Sequence, residues 1–331
     1  MTATWRYFDF FLIFFFIFLI HGCSKGSGDK NSSNAISTPG STHDHVTSIN
    51  NAGDVSGWYT DDDGCNKPFI TSAGLSVNID TLGGCYGEVN SISDAGLAAG
   101  TSESSNGSYY GFIYSNGATS IIGTLGGSFS AALGINEQGE AVGYSHNGKA
   151  VHAYLYSKGS IIDLGTLGGQ ESSAKAINKY GQVAGYSDTG SGYHAFIYSN
   201  GAMNDLGTLG GSNSHAAAIN DAGEAAGTSD ADGGQHAFLY SNGLMKDLGT
   251  LGGTHSYAND INGFGTVVGW SLTSDGTQHG FIYSDGIMKD INDTAGLSCE
   301  VIEVWSINDN NQIVCLCKDG EEESFIITDI D

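Results

Sequence analysis

The chain repeats itself about every 42 residues, and this period limits its fold more than any other feature. The motif Thr-Leu-Gly-Gly begins at five positions separated by 43, 42, 42 and 42 residues: Thr81, Thr124, Thr166, Thr208 and Thr250. The isoleucine of an Ile-(Asn/Ser)-x-x-(Gly/Asn) motif occurs seven times: Ile49, Ile92, Ile135, Ile177, Ile219, Ile261 and Ile307. A fixed period of this length is typical of supersecondary units that stack on one another. The chain therefore contains seven copies of one unit.

Each unit reads as four short β-strands. The first strand runs into the anchoring isoleucine and carries small side chains, which suits a crowded strand near a central axis. The second strand carries a glycine eight residues after the isoleucine, a sign of close approach by another backbone. These glycines are Gly57, Gly100, Gly143, Gly185, Gly227 and Gly269, and Cys315 takes the place in the seventh copy. The third strand is aromatic and ends in a Ser-Asn-Gly or Ser-Asp-Gly hairpin turn, and the fourth is Asp-Leu-Gly-Thr-Leu.

Four strands in 42 residues match one blade of a β-propeller. We therefore predict an all-β, seven-bladed β-propeller of four-stranded blades over residues 34–331, with an open β-solenoid as the rival. The last copy ends after three strands. Alignment of Ile49 with Ile261 places residues 34–41 opposite residues 246–253 without a gap. We predict that residues 35–38 complete the seventh blade, which closes the ring and removes the open sheet edges.

The N-terminus reads as an export signal. Arg6 precedes an apolar run over residues 10–20, which is too short to span a bilayer and suits the core of a signal peptide over residues 1–22. The run ends in Leu-Ile-His-Gly-Cys-Ser, which resembles the lipobox of bacterial lipoproteins. That resemblance implies lipidation of Cys23, with simple cleavage or an uncleaved anchor as alternatives. Residues 23–33 are polar and rich in Gly and Ser, and we predict a flexible, lipid-anchored linker.

Ser24 does not resemble an inner-membrane retention signal, so the lipoprotein resemblance favours the outer membrane in a host that has one. We therefore expect an exported lipoprotein at the outer membrane or cell surface, or alternatively a secreted protein. The formal net charge is −25, from 36 acidic and 11 basic residues. Phosphate backbones repel such a surface, which argues against nucleic acid as a partner. We expect a monomer that meets the membrane through its lipid and binds a protein or a glycan.

The repeated segments HAFIYSNG, HAFLYSNG, DLGTLGG and AINDAG resemble those of the HAF-repeat proteins, a family named for its His-Ala-Phe signature. The resemblance covers residues 34–331. Lys67, Tyr110 and Glu323 replace the signature histidine in the first, second and last copies. Membership in this family implies export and repetition, and it implies no particular activity.

The loops between the second and third strands carry acidic residues on one predicted face of the propeller. As a possible ligand or cation face we take Asp61, Asp62, Asp63, Asp188, Asp230, Asp232 and Asp275. The sequence Asp-x-Asp-Gly resembles the start of a calcium loop, but neither copy is followed by the glutamate of an EF-hand. We therefore expect acidic surface hairpins and no cofactor, with calcium as the alternative.

A histidine opens the third strand in four consecutive copies: His152, His194, His236 and His279. Equivalent positions in neighbouring blades are too far apart to share one ion at bond lengths of roughly 2 Å. We predict that each histidine bonds the connection of a neighbouring blade and organises the repeat. No Gly-x-Ser-x-Gly elbow, His-Glu-x-x-His motif or phosphate loop is present in the sequence.

These observations favour a binding or interaction propeller without catalytic activity. The alternative is a hydrolase or lyase acting on polysaccharide through loop-face aspartates. Five cysteines remain after Cys23. Cys65 and Cys85 fall on the same predicted face and are candidates for a disulfide. Cys299 with Cys317 is a second candidate pair. The alternative is that these cysteines are isolated thiols in the core.

Overall fold

The computed structural model describes residues 34–35, 44–73, 75–293, 297, 299–319 and 322–329. The predicted signal peptide over residues 1–22, Cys23 and the linker over residues 23–33 lie outside these ranges. In the described part of the chain, no helix has the length and apolar character needed to cross a membrane.

The described residues form 28 β-strands and one short 3-10 helix, so the chain is all-β as predicted. Six sheets each consist of four consecutive antiparallel strands, which agrees with four strands per repeat. They are β2 (Asp44–Ile49), β3 (Val55–Thr60), β4 (Asn66–Ser72) and β5 (Leu75–Asn78); β6 (Gly83–Ile92), β7 (Ala98–Ser104), β8 (Tyr109–Ser115) and β9 (Ala118–Ile121); β10 (Ser130–Ile135), β11 (Ala141–His146), β12 (Val151–Ser157) and β13 (Ser160–Asp163); β14 (Ser172–Ile177), β15 (Val183–Asp188), β16 (Tyr193–Ser199) and β17 (Ala202–Asp205); β18 (Ser214–Ile219), β19 (Ala225–Ala231), β20 (Gly234–Ser241) and β21 (Leu244–Asp247); β22 (Gly252–Ile261), β23 (Val267–Thr273), β24 (Gln278–Ser284) and β25 (Ile287–Asp290).

The last sheet combines both ends of the chain. After the 3-10 helix (Ile291–Asp293) come β26 (Glu300–Ile307), β27 (Gln312–Asp319) and β28 (Glu322–Asp329), and the strand β1 (Asn34–Ala35) pairs antiparallel with β28. The paired positions are Asn34 with Ile327 and Ala35 with Ile326. Of the residues predicted to form the closing strand, Ala35 lies in β1 and residues 36–38 lie outside the described ranges.

A backbone bulge explains why a glycine recurs in the second strand, eight residues after each anchoring isoleucine. In the third sheet, the pairing of β10 with β11 shifts register between Ala132 and Gly134. A Cβ atom on Gly143 would stand 1.9 Å from the carbonyl oxygen of Ala131. No side chain fits there, so glycine is required where the bulged strand comes closest.

The core lies between neighbouring sheets. Phe196 of the fourth sheet is fully buried and packs in one cluster with Val142 and Ala153 of the third sheet. Burial of such a phenylalanine contributes about 2–3 kcal/mol. The aromatic residue of the His-Ala-Phe signature therefore joins each sheet to the one before it.

A belt of asparagine side chains links the sheets where each first strand ends. The Nδ2 atom of Asn136 donates to the carbonyl of Asn178 at 3.2 Å, and Asn178 donates in turn to Asn220 at 3.0 Å. The same bond joins Asn50 to Ser93, Asn220 to Asn262, Asn262 to Asn308, and Asn308 to Asn50. The belt therefore connects the last sheet directly to the first.

Candidate functional site

The antiparallel strand order creates two faces with different chemistry. The loop face carries the loops between second and third strands and the connections between sheets. The turn face carries the Asn-x-x-Gly turns that follow each first strand. The predicted ligand residues lie on the loop face, whereas the main cavity opens among the turns.

The loop-face aspartates organise their own loops. Asp188 accepts hydrogen bonds from the backbone nitrogens of Gln170 at 2.9 Å and Gly190 at 2.7 Å. Asp230 accepts bonds from Gln235 at 3.0 Å and from both nitrogens of Asn213. These carboxylates hold loops and sheet connections in place and are engaged before any ligand arrives.

The pKa values of three loop-face carboxyls fall below their ordinary range. For Asp61, the backbone nitrogen of Cys65 is the main cause of the lowered pKa. For Asp275, the hydroxyl of Thr273 lowers the pKa to about 2. Burial alone would raise the pKa of Asp230, and bonds from Gln235 and Asn213 outweigh it. Asp62, Asp63 and Asp232 are exposed at the loop tips. Within the described ranges, no group of three or more His, Cys, Asp or Glu side chains is arranged to hold a metal ion.

Each of the four histidines pairs with an aspartate of its own sheet, so a bond to a neighbouring connection is not the contact they share. His279 Nε2 also lies 3.3 Å from Glu300, at the start of the next sheet. His194 Nδ1 lies 2.9 Å from the carboxylate of Asp205, which ends the fourth strand of the same sheet. Asp205 in turn accepts a bond from the backbone nitrogen of Gly207 at 2.8 Å, at the start of the next connection. The equivalent pairs are His152 with Asp163, His236 with Asp247, and His279 with Asp290. The histidine and the aspartate of each pair are eleven positions apart in sequence. The hairpin between the third and fourth strands brings them together.

Two disulfides are present. Cys65, in the first loop of the loop face, is bonded to Cys85 in β6, so the bridge joins the first sheet to the second. Cys299 is bonded to Cys317 across the start of the last sheet. Cys315 is buried in β27, and burial raises the pKa of its thiol to about 12.

A cavity of about 300 Å³ lies where the first strands of all seven sheets meet, and we call it the axial cavity. Each first strand contributes the last residues before its turn, so the wall has one segment from each repeat. The rim of the axial cavity is formed by Asn51, Asp94, Glu137, Lys179, Asp221, Gly263 and Asp309. Four rim residues carry exposed carboxylates, and Lys179 forms an ion pair with Asp221 at 2.7 Å.

One position in the wall of the axial cavity differs strongly between the repeats. The position two residues before the anchoring isoleucine is occupied by Thr47, Asn90, Leu133, Lys175, Ala217, Asn259 and Trp305. Six residue types occur at this position in the seven copies, with asparagine present twice, whereas its neighbours are small or aliphatic in most copies. The variation is present in the aligned repeats, but the sequence alone does not show that this position faces a cavity, and the predicted binding residues therefore lie in the loops.

Two opposite charges face each other across this wall. The carboxylate of Glu88 is bonded to the hydroxyl of Tyr86 and to Asn90 Nδ2 at 3.3 Å. Burial raises the pKa of Glu88, an effect opposed by Tyr86, Asn90 and the charge of Lys175. Burial lowers the pKa of Lys175, and the charge of Glu88 opposes that change. The two groups therefore act on each other through the interior of the ring of first strands.

The far side of the wall holds two further carboxyls. Glu303 accepts a bond from Asn259 Nδ2 at 2.9 Å, and burial raises its pKa to about 7. Asp260 accepts bonds from the hydroxyl of Ser306 at 2.7 Å and the nitrogen of Ile307 at 2.9 Å. Burial raises the pKa of Asp260 to about 6. Asp260 ties the sixth sheet to the seventh, while Glu303 lies beside the cavity wall.

Comparison with known proteins identifies the fold but no relative by sequence. No protein-family model matches the chain, and no curated protein sequence matches it. The β-propeller domain of the Trilobed protease from Pyrococcus furiosus is similar in structure, with a TM-score of 0.58, 10% identity, and coverage of 86% of this chain and 96% of that one. The structure of YCF48 bound to D1 peptide gives a TM-score of 0.53 and 16% identity, covering 93% and 98%.

The acylaminoacyl peptidase of Pyrococcus horikoshii gives a TM-score of 0.50 and 11% identity over 84% of this chain. The matched part is 51% of that peptidase, so this chain spans about half of its length. At these identities the likenesses establish the fold alone. The chain is an all-β protein with the fold of a β-propeller.

Proposed function

We propose that this protein is a surface-tethered binding propeller whose ligand enters the axial cavity. One observation carries the proposal: most wall positions repeat the same residue types, but the position two residues before the anchoring isoleucine differs between copies. Thr47, Lys175 and Trp305 occupy equivalent positions in the repeat and share no chemistry. Thr47, Asn90 and Asn259 share a structural role, because each side chain donates a bond to a backbone carbonyl of the next sheet. The other four positions, Leu133, Lys175, Ala217 and Trp305, differ in size and charge, and this variety supports recognition of an asymmetric ligand.

The loop face is a weaker candidate for the binding site. Asp188 and Asp230 already accept bonds from their own loops. The turn face, in contrast, adds two exposed aromatic side chains beside the rim, Tyr180 at 68% and Phe264 at 78% exposure. Exposed aromatic residues next to a polar cavity are typical of sites that bind proteins or glycans. We expect one of these two ligand classes, while the net charge of −25 argues against nucleic acid.

In this proposal the seven sheets are the seven blades of one ring, closed by the N-terminal strand. The pairing of Ala35 with Ile326 and the bond from Asn308 to Asn50 support closure. The cavity wall, which has one segment from each sheet, supports it as well. We also expect a monomer, because β1 supplies the fourth strand of the last sheet from the same chain, so no second copy is needed to complete it.

The place of the protein in the cell is part of the proposal. A signal peptide over residues 1–22, lipidation at Cys23 and a linker over residues 23–33 would hold the propeller at the outer membrane or cell surface. Secretion without a lipid is the alternative. The repeat motifs support membership in the HAF-repeat family. Palmitate labelling of the expressed chain tests the tether, with Cys23→Ser as the control that loses the label.

The ligand is tested by binding the full chain, in detergent, to glycan and peptide arrays, with a parallel screen for turnover of polysaccharides. We expect saturable binding without turnover. Ala217→Trp fills the cavity from a small wall residue and should abolish binding with little effect on the fold. Binding that survives this substitution would contradict the axial site.

A second candidate function is a polysaccharide hydrolase or lyase. The observation in its favour is the pKa of Glu303, which burial raises to about 7, in the range of a general acid. The loop-face aspartates do not suit this role, because Asp61, Asp230 and Asp275 have lowered pKa values. Turnover that is lost in Glu303→Gln would establish the enzyme and overturn the binding-only function.

A further inference from the structure

Lys175 lies in the wall of the axial cavity with an unusual set of neighbours. Among the described residues, no hydrogen-bond acceptor and no carboxylate within 4 Å engages its ammonium group. The ring of Tyr186 lies 5.8 Å away, at the outer limit of a cation–π contact. Lys175 is half-buried in the cavity wall, so an acceptor that enters the cavity can reach its ammonium group.

The nearest opposite charge does not satisfy Lys175. The carboxylate of Glu88 accepts hydrogen bonds from Tyr86 and Asn90, and it affects Lys175 only through a longer-range electrostatic interaction. On the other side, burial lowers the pKa of His215 to about 4, and the charge of Lys175 lowers it further. The imidazole is therefore neutral near pH 7 and adds no positive charge, so Lys175 supplies the positive charge of this site. The site at Lys175 therefore favours an anionic group on the ligand.

The rim has the opposite preference. Asp94, Glu137 and Asp309 are exposed carboxylates around the mouth, and the rim lysine Lys179 is paired with Asp221. Asp94 and Asp309 also accept bonds from Asn51, which leaves Glu137 as the carboxylate most open to a cation. The negative rim repels a simple anion, and Lys175, further inside the cavity, repels a simple cation. Lys175 lies in β14 and Lys179 lies four residues later in the turn that follows, so the rim is at most roughly 14 Å from Lys175.

We propose that the axial cavity binds a small zwitterion, with its anionic group at Lys175 and its cationic group at the carboxylates of the rim. A basic α-amino acid is the simplest ligand of this class. The inference rests on the proposed function, since it names the ligand of the same cavity. The volume of about 300 Å³ admits a molecule of that size.

The test is isothermal titration calorimetry of the full chain in detergent at low salt, with L-arginine as the probe. Agmatine, which is arginine without the carboxylate, and acetate are the matched half-ligands. We expect arginine to bind at least ten times more tightly than either. Lys175→Met should lose at least tenfold in affinity for arginine, and Lys175→Arg should retain most of it. Lys149→Met, an exposed change on the loop face, should bind like the unchanged protein.

Three results would overturn the proposal: no heat with arginine, equal affinity for agmatine and arginine, or unchanged arginine binding in a folded Lys175→Met protein. Glu137→Gln should weaken arginine several-fold and reduce the salt dependence of its binding. Failure here is distinguishable from failure of the proposed function. An array ligand that Ala217→Trp excludes, but that arginine does not displace, would overturn the zwitterion and leave the axial binding site in place.

Discussion

The side-chain amide of Asn308 donates a hydrogen bond to the backbone carbonyl of Asn50 at 2.9 Å. The two residues are 258 positions apart and occupy the same place in the last and first repeats. The carbonyl oxygen of Asn308 accepts the equivalent bond from Asn262 at 3.3 Å. The first and last sheets are therefore joined by the same contact that joins consecutive sheets elsewhere.

Replacement of Asn308 by serine should weaken this contact without disturbing its turn. The Oδ1 atom of Asn308 also accepts bonds from the nitrogens of Asn310 and Gln312. Serine performs that turn function at Ser93, the equivalent position of the second repeat. Loss of the buried donor should lower the free energy of unfolding by about 1–2 kcal/mol, measured by urea denaturation.

The reverse substitution, Ser93→Asn, is the matched control. The second repeat lacks the amide that would reach the carbonyl of Asn136, so the new side chain should add a belt bond and about 1 kcal/mol of stability. Opposite signs for the two substitutions support a belt that runs around the ring. Equal losses from both would contradict it.

Removal of the N-terminal strand should destabilise the last sheet. Deletion of residues 24–41 removes the partners of Ile326 and Ile327 in β28. We expect the melting temperature to fall by roughly 5 °C or more. Deletion of residues 24–32 removes only linker and should leave the melting temperature unchanged. An equal effect of the two deletions would count against closure by this strand.

Glu303 should make the protein less stable as the pH rises. Its pKa of about 7 in the folded chain exceeds the ordinary value of 4.5 because the side chain is buried. The unfolded chain therefore loses its proton first, and ionisation favours unfolding between pH 4.5 and pH 7. Glu303→Gln should be as stable as the unchanged protein near pH 4 and more stable by up to about 3 kcal/mol at pH 7.5. Parallel stability curves for the two proteins would show that this carboxyl does not titrate in that window.

The Cys65–Cys85 disulfide should stabilise the contact between the first two sheets. The bridge closes a loop with a sequence separation of 20 residues. In the chain-entropy account, a loop of this size contributes about 3 kcal/mol. The double substitution Cys65→Ser and Cys85→Ser should lower the free energy of unfolding by about that amount. In this variant a reducing agent can act only on Cys299–Cys317. Any further loss of stability on reduction therefore belongs to that second bridge.

The fold was predictable because its signals are local and repeated seven times. Gly143 and the glycines equivalent to it indicated a close approach of two backbones, and the Ser-Asn-Gly sequences indicated the hairpin turns. The partner of His194 was not predictable in the same way, because pairing with Asp205 depends on strand register rather than on spacing. The cavity wall was hidden for a related reason. The bulge at Ala132 and Gly134 breaks the two-residue alternation of the first strand, so side chains that face the axis cannot be read from the pattern alone.

The most direct test compares the two faces on the same glycan and peptide arrays. Ala217→Trp fills the axial cavity, while the combined substitutions Asp62→Asn, Asp63→Asn and Asp232→Asn neutralise exposed tips of the loop face. Binding in the axial cavity predicts that the first protein loses the array signal and the second keeps it. Retention of the signal in the cavity-filled protein, together with its loss in the loop-face protein, would contradict the account.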